Sequence, residues 1–181
     1  MTGRRADLLR LLTAYRPDDD REERNRLDVL DLVAAAHDPF DRYSYSPGHV
    51  TASGWVVHPD GDRVLLIHHA KLGIWVQPGG HVDPEDVDLV AAARREIAEE
   101  TGLTELEAVG GIVDVDVHPF PARGDQPDHR HFDVRFAFVS RTADLDHNDE
   151  AHDARWVGLD DLDALGVDES VMRPARKLLS S

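Results

Sequence analysis

The run Gly79-Gly80-His81-Val82-Asp83-Pro84, continued by Ala91-Ala92-Ala93-Arg94-Arg95-Glu96-Ile97-Ala98-Glu99-Glu100-Thr101-Gly102-Leu103, decides how this chain is read. Residues 86–101 are predicted to form a helix that stops at Gly102, because glycine tolerates the left-handed backbone of a helix C-cap. On that helix Glu96, Glu99 and Glu100 stand at i, i+3 and i+4, so their carboxylates share a stripe. Val90, Ala93 and Ile97 form the adjacent apolar stripe, suited to packing on a sheet. Like charges so placed repel by about a few tenths of a kcal/mol per pair. A hard divalent cation would offset that repulsion, since Mg2+ takes oxygen ligands and keeps room for waters and substrate phosphates. A solvated acidic face is the alternative reading of the stripe taken alone. Gly80 offers an approachable carbonyl just before the helix, and Arg95 can pair with Glu99 at i, i+4.

Outward from this helix the pattern is mostly strand. Val50–His58 and Arg63–His68 flank the turn Pro59-Asp60-Gly61-Asp62. Ile74-Trp75-Val76 is a short strand, and Leu106–Val117 is a longer one in which Gly110-Gly111 suggests a bulge. Residues 118–130, with three prolines and a glycine, read as a loop. His131–Ser140 alternates, with Phe132, Val134, Phe136 and Phe138 on one face and His131, Asp133 and Arg135 on the other. That second face would either meet a substrate's sugar or distal phosphate, or form a polar outer surface. Arg155–Val157 is a late strand, followed by helices over Asp160–Leu165 and Glu169–Leu179. Trp55, Trp75 and Trp156 fall in strand patterns and read as core.

Residues 1–46 read as an N-terminal helical extension ahead of a domain spanning 47–181. Leu8, Leu9, Leu11 and Leu12 form one face, and Leu27, Leu30 and Val33 a second, with Pro17 and Asp18-Asp19-Asp20 between them. Such a preface serves as packing or dimerisation surface, so a homodimer is an open expectation. Helices packed on a sheet make the fold class α+β, an α/β/α sandwich.

The 181 residues carry 20 Lys+Arg against 36 Asp+Glu, a formal net charge of −16. That balance argues against a protein that grips nucleic-acid backbones or anionic membranes. The absence of cysteine removes disulfides, thiolate metal sites and a cysteine nucleophile. The N-terminus lacks a long apolar segment and a small-residue cleavage site, so a cytoplasmic location is expected.

The run from Gly80 to Leu103 closely resembles the signature of the Nudix hydrolase superfamily. Arg95, Glu96, Ile97, Glu99, Glu100, Gly102 and Leu103 match the second half of that signature at every position. The first half departs from it: one residue is inserted, and the expected glutamate is absent, leaving Glu85 or Asp86 to replace it. The likeness extends from about Val50 to Leu165. It implies a mixed β-sheet flanked by helices and hydrolysis of the diphosphate linkage in a nucleoside diphosphate derivative. It further implies Mg2+ or Mn2+ held by Glu96, Glu99, Glu100 and the Gly80 carbonyl, with Arg95 holding the carboxylates. The proton of the attacking water would go to one of these glutamates or to an acid on the loop before the late strand, which contains Asp149, Glu150 and Asp153; Glu150 is preferred. His81, beside the glycine pair, would touch substrate or be a plain loop residue. A Nudix-like nucleotide sensor without catalysis is the competing function, disfavoured by three retained carboxylates. Prenyl-diphosphate isomerisation is set aside because its familiar form needs a cysteine.

Overall fold

Alternating apolar residues in two neighbouring strands set the layers of the molecule, a computed structural model that describes residues 3–69, 73–146 and 151–179, the last segment's first two residues by backbone alone. Strand β1 (Gly48–Val57) runs parallel to β6 (His129–Ser140), pairing Gly48 with Arg130 through Val57 with Val139. Val50, Ala52 and Val56 of β1 and Phe132, Val134, Phe136 and Phe138 of β6 point to one face and are buried there. Helices α1 (Gly3–Ala14), α2 (Asp20–Ala35) and α3 (Leu89–Thr101) cover that face. Trp55 points to the opposite face, which α4 (Leu159–Leu162) and α5 (Glu169–Leu179) cover through Leu162, Val171 and Ala175. The result is the α/β/α sandwich expected from the sequence.

Among the described residues the sheet has seven strands. β5 (Leu106–Phe120) pairs antiparallel with β6, and its register shifts between Val109 and Ile112, where the glycine pair suggested a bulge. β2 (Arg63–His69) continues the sheet beyond β1 and carries both β3 (Ile74–Val76) and β7 (Ala151–Gly158). β4 (Gly79–His81) was not anticipated as a strand. It pairs with Thr51–Ser53 of β1 and so fixes the glycine pair to the sheet. β5 and β6 also run further than their side-chain alternation indicated, shrinking the loop between them to residues 121–128.

Two local features set the position of α3. Its first turn begins at Leu89 rather than at 86, because Asp88 caps it by accepting the Ala91 N–H at 2.7 Å. At Gly54 of β1, a Cβ would lie 2.3 Å from Ile97 Cδ1, so only glycine lets α3 approach the sheet this closely. Gly102 caps the far end at φ 75°, as anticipated.

The N-terminal helices close this chain's own core. Leu8, Leu12, Val29, Leu32 and Val33 are buried, whereas Leu27, expected on the inner face, is exposed. Val29 lies in its place. Arg4 of α1 reaches the loop before α3, donating to the carbonyls of Asp83 at 2.6 Å and Asp86 at 3.1 Å. Trp55 is fully buried, Trp75 is half-buried against the same cluster, and Trp156 is half-buried against the core on the opposite face.

Candidate active site

Arg95 is the hub of the site. Its guanidinium donates to Asp86 at 3.0 and 3.3 Å, to Glu96 at 2.9 Å, to Glu99 at 3.1 Å and to the His81 carbonyl at 2.9 Å. Helical spacing delivers the bond to Glu99, and β4 delivers the carbonyl. The position left open by the inserted residue is taken by Asp86, whose carboxylate also accepts the Asp83 N–H at 2.8 Å, while Glu85 is exposed. Asp86 is one methylene shorter than glutamate, and the loop that Arg4 ties down brings it within reach.

The three glutamates have different surroundings. Glu96 lies against the glycine pair: a Cβ on Gly80 would sit 2.7 Å from its carboxylate carbon and from both its oxygens. Burial pushes the Glu96 pKa up, and this outweighs the pull of Arg95. Glu99 is exposed at the rim. Glu100, unlike Glu99, is buried and accepts the Gly79 N–H at 3.0 Å, which locks the start of β4 to the end of α3. With Asp83 3.6 Å from Arg95, four carboxylates surround one guanidinium, and the ligating atoms they offer are hard oxygens. This group fits Mg2+ or Mn2+, which such oxygens bind. Any side chain at residue 80 would fill the space between its backbone and Glu96.

The structure brings His81 and His131 together but removes Asp133 and Arg135 to the interior. The His81 ring lies 5.6 Å from that of His131, on the sheet face opposite α3. His131 is held neutral, its pKa pushed down to about 2 by burial and by the neighbouring histidines His118, His49, His81 and His129. Asp133 accepts from Ser53 at 2.8 Å and from Thr51 at 3.1 Å. Arg135, offered above as a substrate contact, is completely enclosed. It pairs with Asp133 at 2.8 Å and Asp114 at 2.9 Å, and donates to the Ser170 carbonyl of α5 at 2.6 Å. The polar face of β6 is therefore neither a substrate wall nor an outer surface at Asp133 and Arg135, because α5 covers it. Asp149 and Glu150 lie outside the described residues. Asp153 pairs with Arg155 at 2.6 Å on the surface.

The sequence reading missed several participants. His49, His118 and His129 join His131, and register alone shows why: His49 and His118 each stand opposite His131, on β1 and β5. Asp114, Asp116 and Arg173 complete the surroundings of Arg135. The alternation of Asp114 and Asp116 along β5 was a signal for a shared buried face.

Comparison with known proteins agrees with this geometry. The model of the NUDIX domain matches residues 47–179. An RNA pyrophosphohydrolase of Caulobacter vibrioides is 35% identical over 137 residues, covering 67% of this chain and 78% of that protein. Among solved structures, a NUDIX-family hydrolase from Clostridium perfringens superposes with a TM-score of 0.56 at 20% identity, covering 73% of this chain and 96% of the other. The C. elegans Ap4A hydrolase binary complex superposes with a TM-score of 0.52 at 21% identity, covering 72% and 95%. With its signature helix, its sheet and the extent of the match in agreement, the chain belongs to the Nudix family.

Proposed function

We propose that the protein is a pyrophosphohydrolase that cleaves the diphosphate linkage of a nucleoside diphosphate derivative. The observation that carries this reading is the oxygen cluster of Glu96, Glu99 and the Gly80 backbone, which stays negative after Arg95 is counted and is set beside a fixed glycine strand. Glu96, Glu99 and the Gly80 carbonyl would hold Mg2+ or Mn2+, with Glu100 supporting them through Gly79. When bound, the cation neutralises phosphoryl oxygens and makes attack by water easier.

The chain's own residues supply the rest. Arg95 holds Glu96 and Glu99 in place and Asp86 holds Arg95. The proton that the attacking water gives up would pass to a carboxylate, one of these glutamates or Glu150. The water oxygen bonds to phosphorus as the phosphoanhydride bond breaks, and the departing phosphate takes the bond electrons.

A substrate panel tests the proposal. Purified protein with Mg2+ or Mn2+ is offered ADP-ribose, NADH, dinucleoside polyphosphates, NDP-sugars, oxidised dNTPs and RNA with a 5′-triphosphate. The RNA is included because of the Caulobacter relative's name, although the net charge of −16 works against a long RNA contact. At least one compound is expected to be turned over, with loss of activity on chelation and in Glu99→Gln. No turnover of any of them with either metal would overturn the proposal.

A further inference from the structure

Five histidine rings gather at one end of the sheet, on the face away from α3. His49 of β1, His129 and His131 of β6, His118 of β5 and His81 of β4 stack at centroid separations of 5.0–5.7 Å. Among them His49, His129 and His131 each offer a ring nitrogen within 4.8 Å of the other two.

The hydrogen bonds fix which nitrogens are offered. His49 Nδ1 faces the Ser44 carbonyl at 3.2 Å, and His129 Nδ1 faces the Pro127 carbonyl at 2.8 Å. A carbonyl only accepts, so both Nδ1 atoms carry the proton and both Nε2 atoms are left with a lone pair. His49 is fully buried, yet its Nε2 has no hydrogen-bond partner among the described residues. Leaving a buried acceptor unmatched is costly, and natural structures avoid it. The Nε2 atoms of His129 and His131 are 3.2 Å apart, close to the edge of about 3.3 Å that two nitrogens subtend on a tetrahedral zinc ion. A histidine that donates Nδ1–H to a carbonyl while its Nε2 points at a shared centre is arranged as metal-binding histidines are. A cleft lined by Tyr45, Pro47, Phe120 and Asp128 opens beside His129.

We infer that His49, His129 and His131 form a second cation site, built to take a nitrogen-preferring divalent transition metal such as Zn2+ through their Nε2 atoms. Imidazole nitrogen suits Zn2+, Ni2+ and Cu2+ and is a poor match for Mg2+, so the two sites sort metals by ligand chemistry. The site pins the first residues of β1 to those of β6, and through His81 it borders the strand that carries Gly80. It does not depend on the hydrolase reading.

The test uses the tag-free full chain, stripped with a chelator and titrated with Co2+ and with Zn2+ alone. One equivalent of Co2+ is expected to bind with the intense visible bands of a four- or five-coordinate nitrogen site, and Zn2+ should bleach them. His49→Gln and His129→Gln should weaken binding by at least about 100-fold, whereas Glu99→Gln should leave it unchanged. The faint spectrum of octahedral oxygen coordination, or wild-type binding in both histidine variants, would overturn the inference. Zinc X-ray absorption on the unaltered protein decides the matter without relying on a variant's fold. Imidazole nitrogens at about 2.0–2.1 Å support the site, and a shell of oxygen alone refutes it.

Discussion

Two arginines, each ringed by carboxylates, lie on opposite faces of the same sheet and differ in their surroundings. Arg95, with Asp86, Glu96 and Glu99, keeps a quarter of its side chain in solvent, and Glu99 is half exposed. Arg135, with Asp114, Asp116 and Asp133, is 2% exposed, and its partners are no more than 3% exposed. The buried group is close to electrically balanced. Arg173 lies 2.9 Å from Asp114, and hydroxyls of Thr51 and Ser53 satisfy Asp133. The open group stays strongly negative, since Asp83 also lies 3.6 Å from Arg95. Removing charges from water is tolerable only when each is paired and hydrogen-bonded, as around Arg135. An unbalanced group survives at the surface, where it is free to recruit a cation.

Substitutions can break that contrast, and the largest effect belongs to the open group. Glu96→Gln or Glu99→Gln is expected to lower kcat/KM by at least about 10^3-fold, roughly 4 kcal/mol of transition-state stabilisation. For Glu99→Gln the thermal midpoint should hardly move, because the side chain is exposed; kinetics and calorimetry on one preparation would show both. In the buried group the order reverses. Arg135→Met removes the cation shared by three buried carboxylates and is expected to cost about 3–5 kcal/mol in urea denaturation. A variant of wild-type stability would mean that the buried pairs are not what holds α5 to the sheet.

Glu100 stands between the two cases. Glu100→Ala leaves the Gly79 N–H without its acceptor, and a stability loss of about 1–3 kcal/mol should accompany the fall in rate. The smallest effect is on pH dependence. Burial alone would raise the pKa of Asp114 and Asp116, but Arg135 and Arg173 together outweigh it at Asp114, and His118 with Arg135 at Asp116, so both end below the ordinary 3.8. A carboxylate depressed in the folded state stabilises above its unfolded pKa, and that contribution is lost as pH falls through the folded value. Stability should therefore decline below about pH 4, by about 1.4 kcal/mol per pH unit for each group. Asp116→Asn should make that decline shallower in acid-denaturation curves.

Much of this was legible from residue spacing. Helical periodicity placed Glu96, Glu99 and Arg95 correctly, and alternation in His131–Ser140 identified β6 and its two faces. What a one-dimensional pattern could not show was what covers each face. Arg135 and Asp133 looked available because nothing in their own strand reveals that α5, some 35 residues later, lies over them. The stripe does not separate buried Glu100 from exposed Glu99, because the partner of Glu100 is a backbone N–H in a strand formed only by pairing with β1. The histidine cluster draws on four strands, so it emerges only from register. Asp86 was visible as one of two candidates, and the choice between it and Glu85 rested on the path of a loop that Arg4 of α1 holds.

The central claim is that the carboxylates around Arg95 hold a divalent cation, and Mn2+ titration followed by electron paramagnetic resonance tests it most directly. Loss of the free-ion signal on adding wild-type protein, with binding at least about 10-fold weaker in Glu96→Gln and Glu99→Gln and unchanged in His49→Gln, is the expected result. Equal Mn2+ affinity in the wild type and both glutamate variants would contradict it.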